Sequence, residues 1–179
     1  MKKTQVVLII LVALVICIVA LPWVLIYIGL LLQPDPPRPE ITYGEFPFKL
    51  VYEVNGVRKV IQDTIICEYD GVGMDEGQGK YRRWKQRYES GNKNISLLKI
   101  NNNSEIVYSA GSANYYMGDL KEYEQQNPLF PNAIFIEKDI GSTSEGLIRA
   151  DELLEKYHIK LISWEPSPPI KNTFIESAK

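Results

Sequence analysis

From Val6 to Leu32 the chain carries 27 consecutive uncharged and mostly apolar residues, directly behind Met1-Lys2-Lys3, and the pattern never recurs. A helix of that length measures about 40 Å at ~1.5 Å per residue, against a hydrocarbon core of about 30 Å, so it can span a bilayer with some tilt. A cleaved secretory signal has an apolar region of roughly 7–15 residues and a small-x-small site. The run is longer than that, and it ends in Gly29-Leu30-Leu31-Leu32-Gln33, with no such site. Cys17 follows Leu14-Val15-Ile16 in the manner of a lipobox, but Ile16 is too bulky for the small residue that cleavage there requires. The pattern therefore predicts a short tip over 1–5 and an uncleaved transmembrane helix over 6–32. Lys2 and Lys3 hold the tip in the cytoplasm, because the far flank offers only Arg38, diluted by Asp35 and Glu40. The rest of the chain is then extracytoplasmic. Trp23 and Tyr27 lie one turn apart and suit the headgroup level, which places the end of the apolar span near Tyr27. Pro22 is tolerable in a membrane helix as a local kink.

Beyond the anchor, the pattern becomes that of a folded domain. Residues 33–42 hold Pro34, Pro36, Pro37 and Pro39 and read as an extended, stiff stalk. Phe48–Val54 and Val57–Ile66 flank Asn55-Gly56, a pair that tolerates the positive φ angles of a tight hairpin turn. A two-residue turn sets Val54 opposite Val57, Glu53 opposite Arg58, Tyr52 opposite Lys59, Val51 opposite Val60 and Leu50 opposite Ile61. Gly71, Gly73, Gly77 and Gly79 read as an irregular loop. In Lys80–Tyr88 the aromatics Tyr81, Trp84 and Tyr88 fall at i, i+3 and i+7, which predicts an amphipathic helix stopped by Gly91, with a strand as the alternative. A second hairpin is expected from Ile95–Ile100 and Glu105–Ala110. Asp119 with Glu122 has the spacing of a capping box for a short helix ending before Pro128. Ala133–Glu137 reads as a strand. Ser142 with Glu145 opens a helix to about Tyr157, with Leu147, Ala150, Leu154 and Tyr157 near one face. Ile159–Trp164 reads as a buried strand, stopped by prolines. Hairpins interspersed with helices give an α+β fold: a transmembrane helix, then one domain over 43–165 with a mainly antiparallel sheet and two or three helices, and a tail over 166–179. A β-sandwich is the alternative.

Composition narrows the function. Outside the anchor and its tip there are 18 basic and 22 acidic residues, which does not suit a polyanion binder as a whole or a nucleic-acid partner. Cys67 is alone outside the anchor, so no intramolecular disulfide can form there, and in Thr64-Ile65-Ile66-Cys67 it reads as a small buried hydrophobe. Gly73–Gly79 encloses five residues and Lys80 is followed by Tyr81, so the phosphate-loop pattern fails. Asp70, Asp75 and Glu76 lack the spacing of a calcium loop. With one histidine, His158, and one exterior cysteine, no zinc set can be assembled, and neither a metal nor a cofactor is expected. Paired carboxylates leave no spacing signature, so a membrane-anchored extracytoplasmic hydrolase working through such a pair is the alternative function.

The remaining candidate is basic and aromatic. Lys80, Arg82, Arg83, Trp84, Lys85 and Arg87 alternate cations with rings, a composition that can hold an anionic polymer or lipid headgroups near the anchor. The same composition also describes an amphipathic element with a solvated charged face. Four strings, Tyr43-Gly44-Glu45-Phe46-Pro47-Phe48, Ile66-Cys67-Glu68-Tyr69-Asp70-Gly71, Gly79-Lys80-Tyr81-Arg82-Arg83-Trp84-Lys85 and Tyr115-Tyr116-Met117-Gly118-Asp119, resemble membrane-anchored or exported proteins of Gram-positive bacteria. The resemblance covers Tyr43–Asp119 and implies a bacterial envelope setting, without an activity or a site. The expectation is a single-pass membrane protein, contacting the bilayer through residues 6–32, whose external domain binds or scaffolds an envelope protein or anionic polymer.

Overall fold

A computed structural model describes residues 3–120 and 133–175. Its elements in chain order are α1 (Lys3–Leu32), β1 (Arg38–Pro39), β2 (Tyr43–Val54), β3 (Val57–Asp75), β4 (Gly79–Tyr88), β5 (Ile95–Lys99), β6 (Ser104–Tyr108), α2 (Ala113–Tyr116), β7 (Ala133–Asp139), β8 (Ser142–Ile148), α3 (Ala150–Tyr157), β9 (Ile159–Pro166) and β10 (Phe174–Ile175). The fold is mixed α+β, with three helices among the described residues, mostly antiparallel sheets, and the first helix apolar and long enough to cross a membrane. Pro22 lies inside that helix without ending it.

The strands form two four-stranded sheets, in the orders β4-β3-β2-β9 and β5-β6-β7-β8, and a two-stranded one from β1 and β10. The Asn55-Gly56 turn takes positive φ at both residues, 52° and 76°. It fixes all five expected cross-strand pairs, from Val54 opposite Val57 to Leu50 opposite Ile61. On β2 every second side chain, Phe46, Phe48, Leu50, Tyr52 and Val54, points into one core with Ile65 and Cys67 of β3, Ile95 and Leu97 of β5, Ile106 and Tyr108 of β6, and Ile159 of β9. Both large sheets thus share a single core, which gives the architecture a sandwich-like centre. Tyr52 donates to the Leu97 carbonyl across it at 3.4 Å. Each fully buried aliphatic side chain here contributes roughly 1.5–3 kcal/mol of apolar transfer.

Several expectations need correction. Lys80–Tyr88 is strand β4, not a helix: β-branched and aromatic neighbours in β3 supply a ladder, and Tyr and Trp fit a pleated surface at least as well as a helix. Gly71 and Gly73 belong to β3, so the glycine-rich loop shrinks to the turn 76–78. Ser142–Ile148 is strand β8 rather than the first turns of a helix. Gly141, at φ 81°, turns the chain back, and every residue from Ser142 to Ile148 pairs with β7. The helix is only Ala150–Tyr157; its N-cap is Arg149, with no side-chain cap, and its buried residue is Leu153. The expected helix between Asp119 and Pro128 falls largely outside the described residues. The second hairpin forms as β5 and β6, and Ala133–Asp139 is a strand as expected.

Two compact units result. One joins residues 3–38 to 70–83, the distal ends of β3 and β4; the other holds 39–69 with 84–120 and 133–175. In the larger unit the segment after β9 is bonded along its length. Ser167 Oγ and N–H donate to the Pro47 carbonyl, Ile170 N–H donates to the Tyr116 carbonyl at 2.9 Å, and Asn172 exchanges two bonds with the Ile41 backbone. Gly118, at φ 63°, lies against this segment so closely that a Cβ there would fall 2.5 Å from the Ile170 carbonyl oxygen.

Candidate functional site

Strand β4 carries all six residues of the basic-aromatic candidate, but pleating divides them between two faces and most are already bonded. In the smaller unit, Lys80 Nζ lies 2.8 Å from Asp35 Oδ1 and its side chain is only 16% exposed. Its backbone N–H donates to Gln33 Oε1 at 3.3 Å. Arg82 Nη1 donates to the Pro37 carbonyl at 3.2 Å. Arg83 grips Asp70 twice, through Nε to the carboxylate at 2.8 Å and through Nη2 to the carbonyl at 3.0 Å. Tyr81 covers Gly73, where a Cβ would come within 2.6 Å of its ring. Only glycine admits the ring at this distance.

In the larger unit, Trp84 Nε1 donates to Asp119 Oδ2 at 2.8 Å, and the Trp84 ring meets Tyr69 edge-on at 5.4 Å. Arg87 pairs with Glu68 at 3.2 Å, and Lys85 is solvent-exposed. An anionic polymer on this strand would compete with Asp35, Asp70 and Glu68 for the same cations. As the edge of its sheet, β4 has a simpler use for them: a row of Lys and Arg blocks pairing with a foreign strand. No local pattern marks Asp119 as the partner of Trp84, since the pair lies 35 positions apart and Asp119 has the spacing of a helix cap.

The buried ionisable groups of the core are held in their neutral forms. Burial pushes the Cys67 thiol up to about 12. Burial likewise raises Tyr52, Tyr88, Tyr108 and Tyr116, the last with help from neighbouring tyrosines. Tyr116 Oη donates to the Ala110 carbonyl at 2.6 Å. These groups are proton-bound at neutral pH and serve packing rather than nucleophilic attack.

Among the open grooves on the second sheet, two differ in character. One, of about 520 Å³, has Val107, Ile134 and Ile136 in its wall together with Arg87, Lys93 and Glu145. The other, of about 660 Å³, is polar, with Asn101–Asn103, Ser144, Glu137 and Asp139. Glu137 and Asp139 project from the same face of β7, two residues apart, and Asp139 Oδ1 accepts the Ile140 N–H at 2.7 Å. Among the described residues no three His, Cys, Asp or Glu side chains gather as a metal would require.

Strand β8, Ser142–Ile148, is the far edge of this sheet and contrasts with β4. Its side chains are exposed from Ser142 to Leu147, Leu147 at 62%, and Glu145 is its single charge. Among the described residues nothing pairs with its outer side. Ile140, in the turn before it, is fully exposed. No family model, no curated protein and no solved structure matches this chain.

Proposed function

We propose that the chain is a single-pass protein of a bacterial cell envelope, with its N-terminus in the cytoplasm and its folded domain outside. The domain binds a partner protein that adds a strand to β8. The observation that carries this reading is the contrast between two sheet edges: β4 carries five cations, of which Arg83, Lys85 and Arg87 are exposed, whereas β8 offers an almost uncharged backbone ladder flanked by Leu147 and Ile140. The ion pairs along β4 favour a protein over an anionic polymer, because a polymer must first displace carboxylates from Lys80, Arg83 and Arg87.

A photoreactive benzoyl-phenylalanine at Leu147 of the full chain, irradiated in intact cells, tests it. The expected result is a protein adduct that disappears when Thr143→Lys places a charge on the β8 edge and persists when Lys85 and Arg87 are both changed to Gln. Adducts that persist with Thr143→Lys, or that vanish with the glutamine pair, would overturn strand addition.

A further inference from the structure

We propose that the segment received by β8 carries large apolar side chains beside Leu147 and Gly146 and a basic side chain beside Glu145. The inference rests on strand addition at β8 and names the chemistry of the partner.

The register shows which residues of β8 have an open backbone. The Lys138 N–H donates to the Asn103 carbonyl at 2.8 Å, so the backbone groups of Lys138 face β6. Backbone direction alternates along a strand, so Phe135, Glu137 and Asp139 face β8, and their partners Gly146, Ser144 and Ser142 direct their N–H and C=O groups back to β7. Thr143, Glu145 and Leu147 therefore turn theirs outward. These three residues supply the ladder for an added strand.

Side chains alternate in the same way. Gly146 and Ile148 lie opposite Phe135 and Ala133 on the face toward the core, and Glu145 and Leu147 lie opposite Ile136 and Ile134 on the other face. The core-side row has a gap at its edge. Gly146 is exposed, and a Cβ built on it would meet nothing within 4 Å. Phe135 beside it is only half-buried, although Ala133 and Ile148 are buried. Neighbouring strands lie about 4.8 Å apart, so a large apolar side chain on the next strand can lean across the glycine to the Phe135 ring. On the other face Leu147, 62% exposed next to the half-buried Ile134, extends an apolar row that a second such side chain would continue.

The charge beside these rows is negative. Glu145 is the single charge of β8 and has no ion pair or hydrogen bond among the described residues. β7 adds the exposed Glu137 and Asp139, while Lys138 between them is paired with Glu105 at 3.5 Å. A basic side chain opposite Glu145 is attracted there and an acidic one repelled.

The test incubates the full chain in phosphatidylcholine nanodiscs with a library of seven-residue peptides, the length of β8, built from Phe, Thr, Lys and Glu; peptides retained over empty nanodiscs are sequenced. The expected consensus is two adjacent Phe next to a Lys, enriched about tenfold over peptides with Thr at either Phe position. Gly146→Glu is expected to abolish the preference at one Phe position, and Glu145→Lys to replace the selected Lys by Glu. A consensus without adjacent Phe, or one that keeps its Lys with Glu145→Lys, would overturn the inference, and strand addition still stands if retention is lost with Thr143→Lys. Retention unchanged by Thr143→Lys would overturn strand addition itself.

Discussion

At the scale of single residues, the core decides which groups are chemically silent. Cys67 sits at zero exposure between two sheets, and burial pushes its thiol up to about 12 from 9.0. That leaves roughly a thousandth of the thiolate that an ordinary cysteine offers near neutral pH. With Cys17→Ala removing the other thiol, a soluble maleimide should leave the native chain unlabelled over the time in which the denatured chain reacts fully; mass spectrometry counts the adducts. The same shift fixes a pH dependence. Folded Cys67 keeps its proton where the unfolded thiol, near 9.0, loses it. Its contribution to stability is therefore fully present below pH 9.0 and declines as pH rises toward about 12. Buried Tyr108 and Tyr116, raised from 10.0, act in the same direction from pH 10.0 upward. Melting temperatures measured from neutral to alkaline pH should fall above pH 9, and Cys67→Ala should soften the first part of that fall.

At the scale of elements, the two sheet edges behave differently. β4 presents the exposed Lys85 and Arg87 at an edge, and a foreign strand pairing there would have to bury both charges. Changing Lys85 and Arg87 together to Val should leave the core intact but produce concentration-dependent association, visible as higher-order species by light scattering. A variant that stays monodisperse at every concentration would remove the protective role from β4. The difference between the elements that local sequence specifies and those it does not has a physical cause. The Asn55-Gly56 hairpin was legible to single-residue register, because its turn geometry is set by two adjacent residues and then propagates by pairing. At β4 the strand alternative holds over the amphipathic helix, and at β8 a strand replaces the expected helix start, because the local signals are short: three aromatic rings in one case and Ser142 with Glu145 in the other. Both spacings suit either backbone, and the choice was made by neighbours in β3 and β7 that no local pattern announces. The candidate cations were legible as a cluster. Their partners Asp35, Asp70 and Glu68 were not, since pairing between positions up to 45 apart depends on the fold.

At the scale of the molecule, the proposal that α1 is an anchor assigns the domain a compartment. The basic residues before α1 are Lys2 and Lys3, while the other flank offers Arg38 beside Asp35 and Glu40. The positive-inside rule then favours a cytoplasmic N-terminus. Ile140 is fully exposed and lies in the turn between β7 and β8, so a cysteine placed there is open to a reagent in whichever compartment holds the domain. With Cys17→Ala and Cys67 buried, Ile140→Cys should react with a membrane-impermeant maleimide in intact cells as completely as in permeabilised ones. Labelling only after permeabilisation would place the domain in the cytoplasm. Adding Lys2→Gln and Lys3→Gln should shift part of the population to that protected state, because those two charges are then missing from the side they hold.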